Sequence, residues 1–204
     1  MRTRFHAARA ALALISTVLL GACADDFALA KPVISPSQTA SVDGVVGDWF
    51  DPSDTSAVPS GDMIVRRAGD EYVVWSARTS FDKHEAGRPA RLGYIGQGLY
   101  AQVGGATCDG SSTSQCFSLY RIALTNGMLR IYTFSNQRLG ELALTPTSVT
   151  GLSVRITAGR DGPTFSHARL DADPAAARAF LVAYAADGSV FQLYKQLRRR
   201  PAHV

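Results

Sequence analysis

The stretch Phe117-Ser118-Leu119-Tyr120-Arg121-Ile122-Ala123-Leu124 is followed by Thr125-Asn126-Gly127 and then by Met128-Leu129-Arg130-Ile131-Tyr132-Thr133-Phe134. Both longer runs are rich in β-branched and aromatic residues, which favour strands. The Asn-Gly pair favours the positive φ angles of a type I′ turn, whose twist matches that of two paired strands. The stretch therefore predicts a β-hairpin, and with it an antiparallel sheet.

Similar strand-like runs lie on both sides of this hairpin, separated by Gly, Asp and Pro residues that favour turns. They begin at Val45, Met63, Tyr72, Leu92, Leu99, Leu152, Thr164 and Val190. The sequence predicts a mainly β fold: an antiparallel meander forming a barrel or half-barrel of about eight strands, with one C-terminal helix followed by a last strand.

The helix is predicted where the apolar period changes. Asp173 suits an N-cap, Pro174 suits the first helical position, and residues 175–186 are strong helix formers that end at Asp187-Gly188. Between the hairpin and this helix the pattern is ambiguous, and residues 137–142 are compatible with a short helix.

The start of the chain has the features of a secretory signal. Arg2, Arg4 and Arg9 precede an apolar run at residues 10–20, which has the length of a signal h-region and is too short to span a bilayer. The run ends in Leu20-Gly21-Ala22-Cys23, which resembles the lipobox of bacterial lipoproteins.

This resemblance implies that the signal is cut before Cys23, that the thiol receives a diacylglycerol and that the new amino group is acylated, for example with palmitate. Two or three acyl chains hold a protein stably at a membrane without a protein span. Ala24 follows the cysteine, where an aspartate would favour inner-membrane retention, so the outer membrane facing the periplasm is expected. The alternative is an ordinary signal cut after Ala28-Leu29-Ala30, with Cys23 discarded.

The sequence thus predicts a signal peptide at residues 1–22 and a lipidated, flexible tether at residues 23–43. A single β-rich domain follows at residues 44–200, and residues 201–204 form a tail. The whole chain carries 21 basic and 17 acidic side chains, but three of the arginines lie in the signal peptide. The mature chain is therefore nearly neutral, which argues against nucleic acid as a partner.

Two cysteines remain after Cys23 is assigned. Cys108 and Cys116 flank a short polar segment, and in an oxidising envelope such a pair predicts a disulfide that closes a loop. A metal or redox pair is the alternative, but it favours Cys-x-x-Cys spacing or nearby ligands.

The motif Gly47-Asp48-Trp49 opens the first strand of the predicted barrel. It is similar to the Gly-x-Trp motif of lipocalins, as are the strand count and the late helix followed by a strand. The resemblance implies that Trp49 packs under an arginine near the end of the barrel, and we assign Arg198 as this barrel-closing partner. The alternative is that Trp49 is an ordinary core residue of another β-barrel.

Few residues have the pattern of a catalytic or metal site. Asp82, His84 and Glu85 share one segment and, with His167, form a candidate metal cluster, although a solvated loop explains them better. The carboxylates of Asp51, Asp54 and Asp62 are better explained by turns than by calcium binding. No Gly-x-Ser-x-Gly motif occurs, so no catalytic residue, metal or cofactor is predicted.

Three functions remain open. The first is a non-enzymatic envelope lipoprotein with a structural role or a role in binding a lipid or another envelope component. The second is a lipocalin-like carrier of a small apolar ligand, because a closed eight-stranded sheet has room for one small molecule. The third is a hydrolase or metal enzyme. A hollow barrel favours the carrier, and a filled one favours the first function.

Overall fold

The computed structural model describes residues 27–55, 63–76, 87–107, 115–144, 151–159, 162–185 and 188–201. These residues form eleven strands and two α-helices. The strands are β1 (Ala28–Leu29), β2 (Gly47–Phe50), β3 (Met63–Ala68), β4 (Glu71–Ser76), β5 (Arg88–Ile95), β6 (Gly98–Thr107), β7 (Gln115–Thr125), β8 (Met128–Phe134), β9 (Leu152–Gly159), β10 (Gly162–Leu170) and β11 (Phe191–Arg199). The helices are α1 (Asn136–Ala143) and α2 (Pro174–Ala185).

Eight of these strands form a closed antiparallel barrel, in the order β6, β5, β4, β3, β2, β11, β8 and β7. Pairing between β6 and β7 closes the ring, and β11 joins β8 to β2. The predicted fold class is confirmed: the protein is mainly β, with a barrel of eight strands and a C-terminal helix followed by a last strand.

The hairpin that decides the fold forms as predicted. Thr125 pairs with Met128 across the turn, and Asn126 and Gly127 have φ angles of 51° and 71°. These positive angles are the ones that a type I′ turn requires. Tight turns also join β3 to β4 and β5 to β6 at this end of the barrel. The longer connections leave from the opposite end, which we call the open end.

A side sheet extends from the first half of β7. Ala28 and Leu29 of β1 pair with Ser118 and Phe117, on the edge of β7 that β8 covers further along. On its other side β1 is parallel to β10, which pairs with β9. The two runs that begin at Leu152 and Thr164 are therefore strands, but they lie outside the barrel rather than within one continuous meander.

A second core lies between the outer wall of the barrel, the side sheet and the two helices. The Phe134 ring at its centre is fully buried, with ring centroids 4.4 Å from Phe27 and 4.7 Å from Phe191. Phe180 of α2 stacks against it at 6.5 Å. Such a cluster of aromatic side chains stabilises the packing of α2 against the barrel.

Helix α2 begins as the sequence predicts. The Asp173 carboxylate accepts hydrogen bonds from the backbone N–H groups of Ala175 and Ala176 at 2.9 and 3.0 Å. These bonds satisfy N–H groups that have no partner inside the helix. The short helix suggested for residues 137–142 is also present as α1, and its N-cap is Ser135. Neither α-helix of the described residues is long and apolar enough to cross a membrane.

The chain before the barrel is part of the folded domain. Phe27, Leu29, Val33 and Ile34 are each at most 2% exposed and belong to the second core. The Gln102 side-chain oxygen accepts hydrogen bonds from the backbone N–H groups of Val33 and Ile34, at 2.6 and 3.0 Å. Because Gln102 is itself buried, these bonds hold the segment firmly against the wall of the barrel.

The flexible tether predicted for residues 23–43 is therefore wrong from residue 27 onward. Further along the same segment, the Ala40 N–H donates to the Leu92 carbonyl at 2.7 Å. The Val42 N–H donates to the Tyr72 hydroxyl at 2.8 Å. The segment looks loose in the sequence because its apolar residues follow no helical or strand period. Four of them, Phe27, Leu29, Val33 and Ile34, are buried by tertiary contacts, which a periodic pattern does not reveal.

Candidate ligand site

The barrel is hollow. Along its strands, alternate side chains point inward, and they leave a cavity of about 170 Å³. The described lining residues are mostly aliphatic or aromatic: Val45, Met63, Val65, Tyr72, Val74, Trp75, Arg88, Ala90, Leu92, Ala101, Val103, Tyr120, Ile122, Leu129, Ile131, Tyr194 and Lys195. An apolar interior of this kind is suited to an apolar molecule of limited size.

Trp49 lies at the end of the barrel that carries the tight turns. It is 1% exposed, and its indole N–H donates to the Val45 carbonyl at 2.8 Å. The Arg199 guanidinium carbon lies 5.8 Å from the centroid of the Trp49 ring, within the range of a cation–π interaction. Arg199 also donates a hydrogen bond to the carbonyl of Val46. These contacts tie the first strand of the barrel to the last.

Gly47 makes this close approach possible. A Cβ atom at Gly47 would lie 2.9 Å from Nε of Arg199, closer than side chains normally come. The glycine of Gly47-Asp48-Trp49 thus leaves room for the guanidinium, and the tryptophan provides the surface beneath it. Trp49 therefore packs beneath an arginine near the end of the last strand.

The predicted partner of Trp49 was wrong by one position. Arg198 pairs with Phe50 in the sheet, whereas Arg199 pairs with Trp49. Because neighbouring residues of a strand point to opposite faces, Arg198 is directed away from the face that carries the tryptophan. The three consecutive arginines gave no indication of which one shares that face.

The half of the cavity nearer the open end contains polar and aromatic groups. A β-bulge between Leu193 and Lys195 adds Tyr194 to β11. The Tyr194 ring stacks on Tyr120 with a centroid distance of 6.1 Å and an interplanar angle of 23°. The Lys195 ammonium lies 5.5 Å from the centroid of the Tyr194 ring. On the opposite wall, Arg88 donates from Nε to the Gly104 carbonyl at 3.0 Å.

Sequence reasoning missed Arg88 and Lys195. Both interrupt an alternating pattern, since Arg88 shares the inward face of β5 with Ala90 and Leu92, and Lys195 shares that of β11 with Leu197. A charged residue at an otherwise apolar inward position was the available signal. The bulge at Tyr194 concealed it in β11, because the bulge shifts the period by one residue.

Of the other candidates from the sequence, those within the described residues do not converge on a site. His167 is exposed at an irregularity of β10 with a φ of 50°. Asp51 forms a turn, accepting hydrogen bonds from the N–H and hydroxyl of Ser53. Among the described residues no cluster of His, Cys, Asp and Glu is suited to hold a metal ion. Outside the described residues lie Cys23, Cys108, Asp62, Asp82, His84, Glu85 and His203.

Cys116 is fully buried near the start of β7 and pairs with Ala106 of β6. The last pair of this ladder joins Thr107 to Gln115, so β6 ends immediately before Cys108. The connection between β6 and β7 therefore begins at Cys108, and Cys116 is the second residue of β7, just after this connection ends. The disulfide itself stays a prediction.

Among the described residues, three groups have clearly shifted pKa values, and none of the three is among the residues that line the cavity. Burial raises the pKa of the Tyr100 hydroxyl in the second core, and the nearby Arg121 partly opposes this effect. Hydrogen bonds from Gln137 and Arg138 lower the pKa of Glu141 on α1. The N–H groups at the start of α2 lower the pKa of Asp173.

The fold and the site together define a closed antiparallel β-barrel with an apolar internal cavity. No known protein-family pattern matches the chain, and neither a curated protein nor a solved structure matches it.

Proposed function

We propose that the protein is a lipid-anchored lipoprotein of the bacterial envelope whose barrel binds a small apolar ligand, without catalysing a reaction. The observation that carries this proposal is the cavity of about 170 Å³ with its largely apolar lining. Eight-stranded barrels have interiors that side chains either fill or leave open for one small ligand. A hollow interior favours a carrier over a purely structural role.

The contact between Arg199 and Trp49 supports a lipocalin-like carrier in particular. It joins the first strand of the barrel to the last at the end that carries the tight turns. Ligand entry would then take place from the open end, where the longer connections leave the barrel. The same longer connections include the predicted Cys108–Cys116 disulfide, which would fix the ends of β6 and β7 at this opening.

Binding in the cavity is tested with 1-octanol and the mature chain, residues 23–204, carrying Cys23→Ser so that no acyl chain competes. We expect saturable binding in calorimetry, and at least tenfold weaker binding by Ala101→Phe. Ala101 lines the cavity, so a phenyl ring there would occupy the space available to the ligand.

The matched control is Ala183→Phe, which adds the same ring at an exposed position of α2. It should bind octanol as the parent chain does. Circular dichroism and thermal unfolding establish that both variants are folded. Equal binding by a folded Ala101→Phe variant would place the ligand outside the barrel and contradict the proposal.

The anchor is proposed from the signal pattern and the residues Leu20-Gly21-Ala22-Cys23. Cells that express the full chain should incorporate radiolabelled palmitate into the protein, and the Cys23→Ala variant should not. The variant should also keep its signal peptide and migrate as the larger precursor. Unchanged processing of Cys23→Ala, with no palmitate in the parent protein, would contradict lipidation and favour an ordinary signal peptide.

A further inference from the structure

The described residues that line the cavity carry charges of one sign. Of the described lining residues, Arg88 and Lys195 are cationic and none is acidic. Strand β5 carries Arg88 and β11 carries Lys195. In the ring of eight strands, β4, β3 and β2 separate them on one side and β6, β7 and β8 on the other. The two cations therefore belong to opposite walls of the barrel.

Arg88 lies at the open end of the cavity, and Lys195 lies midway along β11, nearer the open end than Leu197. Arg88 is the first residue of β5, which begins at that end, and the apolar Ala90 and Leu92 follow it at alternate positions. Lys195 pairs with Ile131, and the next inward residue of β11 toward the end with the tight turns is the fully buried Leu197. Along these two strands the cavity is apolar toward the end with the tight turns, which we call its lower part. It is cationic toward the open end, which we call its upper part.

The surroundings of Lys195 hold its charge near the cavity. The residue is half-buried, and its ammonium lies over the Tyr194 ring, which in turn stacks on Tyr120. The Arg88 side chain is exposed, and its bond from Nε to the Gly104 carbonyl fixes it beside β6. A hydrogen bond between a cation and an anion is roughly twice as strong as one between neutral groups, and the partial burial of Lys195 strengthens its bond further.

We propose that the ligand is an anionic amphiphile, with its apolar part in the lower cavity and its carboxylate or phosphate between Arg88 and Lys195. The proposal rests on the proposed function and specifies the class of ligand. An apolar cavity of about 150 Å³ holds a benzene ring, so the cavity here suits one ring or a short alkyl chain. The ligand is therefore smaller than a membrane phospholipid with two full acyl chains.

The test compares four eight-carbon compounds that share one chain: octanoate, octyl phosphate, 1-octanol and octylammonium. Calorimetry with the mature Cys23→Ser chain should show octanoate or octyl phosphate binding about tenfold more tightly than octanol, and octylammonium more weakly. A preference for the phosphate indicates a lipid-derived headgroup, and a preference for the carboxylate indicates a free acid. Either preference supports the proposal.

Lys195→Gln and Arg88→Gln should each weaken binding of the preferred anion about fivefold to tenfold while leaving octanol binding unchanged. The matched control is Arg130→Gln, because Arg130 is an exposed cation of β8 that donates to Gln196 on the adjacent strand. It should bind all four compounds as the parent does. Anion binding that falls equally in the control would reflect overall charge and overturn the proposal.

The binding results separate an error in the proposed headgroup site from an error in the proposed carrier function. If octanol and octanoate bind equally, and Ala101→Phe weakens both, the barrel is a carrier but the anionic headgroup is wrong. If none of the four compounds binds to the folded parent chain, the carrier function is wrong as well. Retention of anion binding by the double variant of Arg88 and Lys195 would overturn the headgroup site alone.

Discussion

A mature chain that begins at Gly44 is expected to lose cooperative folding. The truncation removes Phe27, Leu29, Val33 and Ile34, which are all buried in the second core. Replacing one such side chain with alanine typically costs about 2–5 kcal/mol. Since natural domains are stable by only about 5–15 kcal/mol, the loss of all four should unfold the protein.

The measurement is urea denaturation followed by near- and far-ultraviolet circular dichroism. A chain that begins at Ala24 is the control, and it should unfold in one cooperative transition because it keeps every described residue. The single variant Gln102→Leu removes the acceptor for the Val33 and Ile34 N–H groups and should lower stability by about 1–3 kcal/mol. A chain from Gly44 that unfolds at the same urea concentration as the control would show that the segment is a tether after all.

Trp49→Ala is expected to lower the free energy of unfolding by about 3–5 kcal/mol, the usual range for removing a large aromatic side chain from a core. Trp49 is almost completely buried, and it contacts the 3₁₀ turn at Val45 as well as Arg199. Its loss would leave a void and separate the first strand of the barrel from the last. Urea denaturation of the mature Cys23→Ser chain, followed by far-ultraviolet circular dichroism, measures this effect.

The neighbouring arginines provide a matched pair of controls. Arg199→Ala should cost about 0.5–1 kcal/mol, because it removes the cation–π contact at an exposed site. Arg198→Ala should change stability by less than about 0.5 kcal/mol, as most exposed substitutions do. A larger loss for Arg198→Ala than for Arg199→Ala would contradict the observed register, in which Arg199 pairs with Trp49.

Local signals in the sequence were reliable where one residue type has a strict geometric role. Asn126-Gly127 predicted the hairpin because few residues adopt the positive φ angles of its turn. Asp173 and Pro174 predicted the start of α2 because the cap needs an acceptor and the first position needs no N–H group. The mainly β class and a barrel of about eight strands were predicted from such local patterns, although these patterns left a half-barrel open.

Predictions that depended on long-range pairing were weaker. The assignment of Arg198 instead of Arg199 was an error of one residue, which in a strand reverses the face. The strands β9 and β10 have ordinary strand patterns, and nothing local shows that β10 pairs with β1, and β9 with β10, outside the barrel. The cavity likewise arises from side chains on eight strands, so no single segment of the sequence reveals it.

If Cys23 carries the proposed lipid anchor, the burial of Phe27 limits how far the barrel can stand from a membrane. In the lipidated form that we propose, only Ala24, Asp25 and Asp26 separate the acylated Cys23 from this fixed residue. A fully extended chain of that length spans at most about 14 Å. The domain would therefore rest at the bilayer surface, out of reach of components deeper in the periplasm. A ligand that leaves the lipid headgroups would have only a short path to the cavity, so exchange with the membrane itself would be favoured.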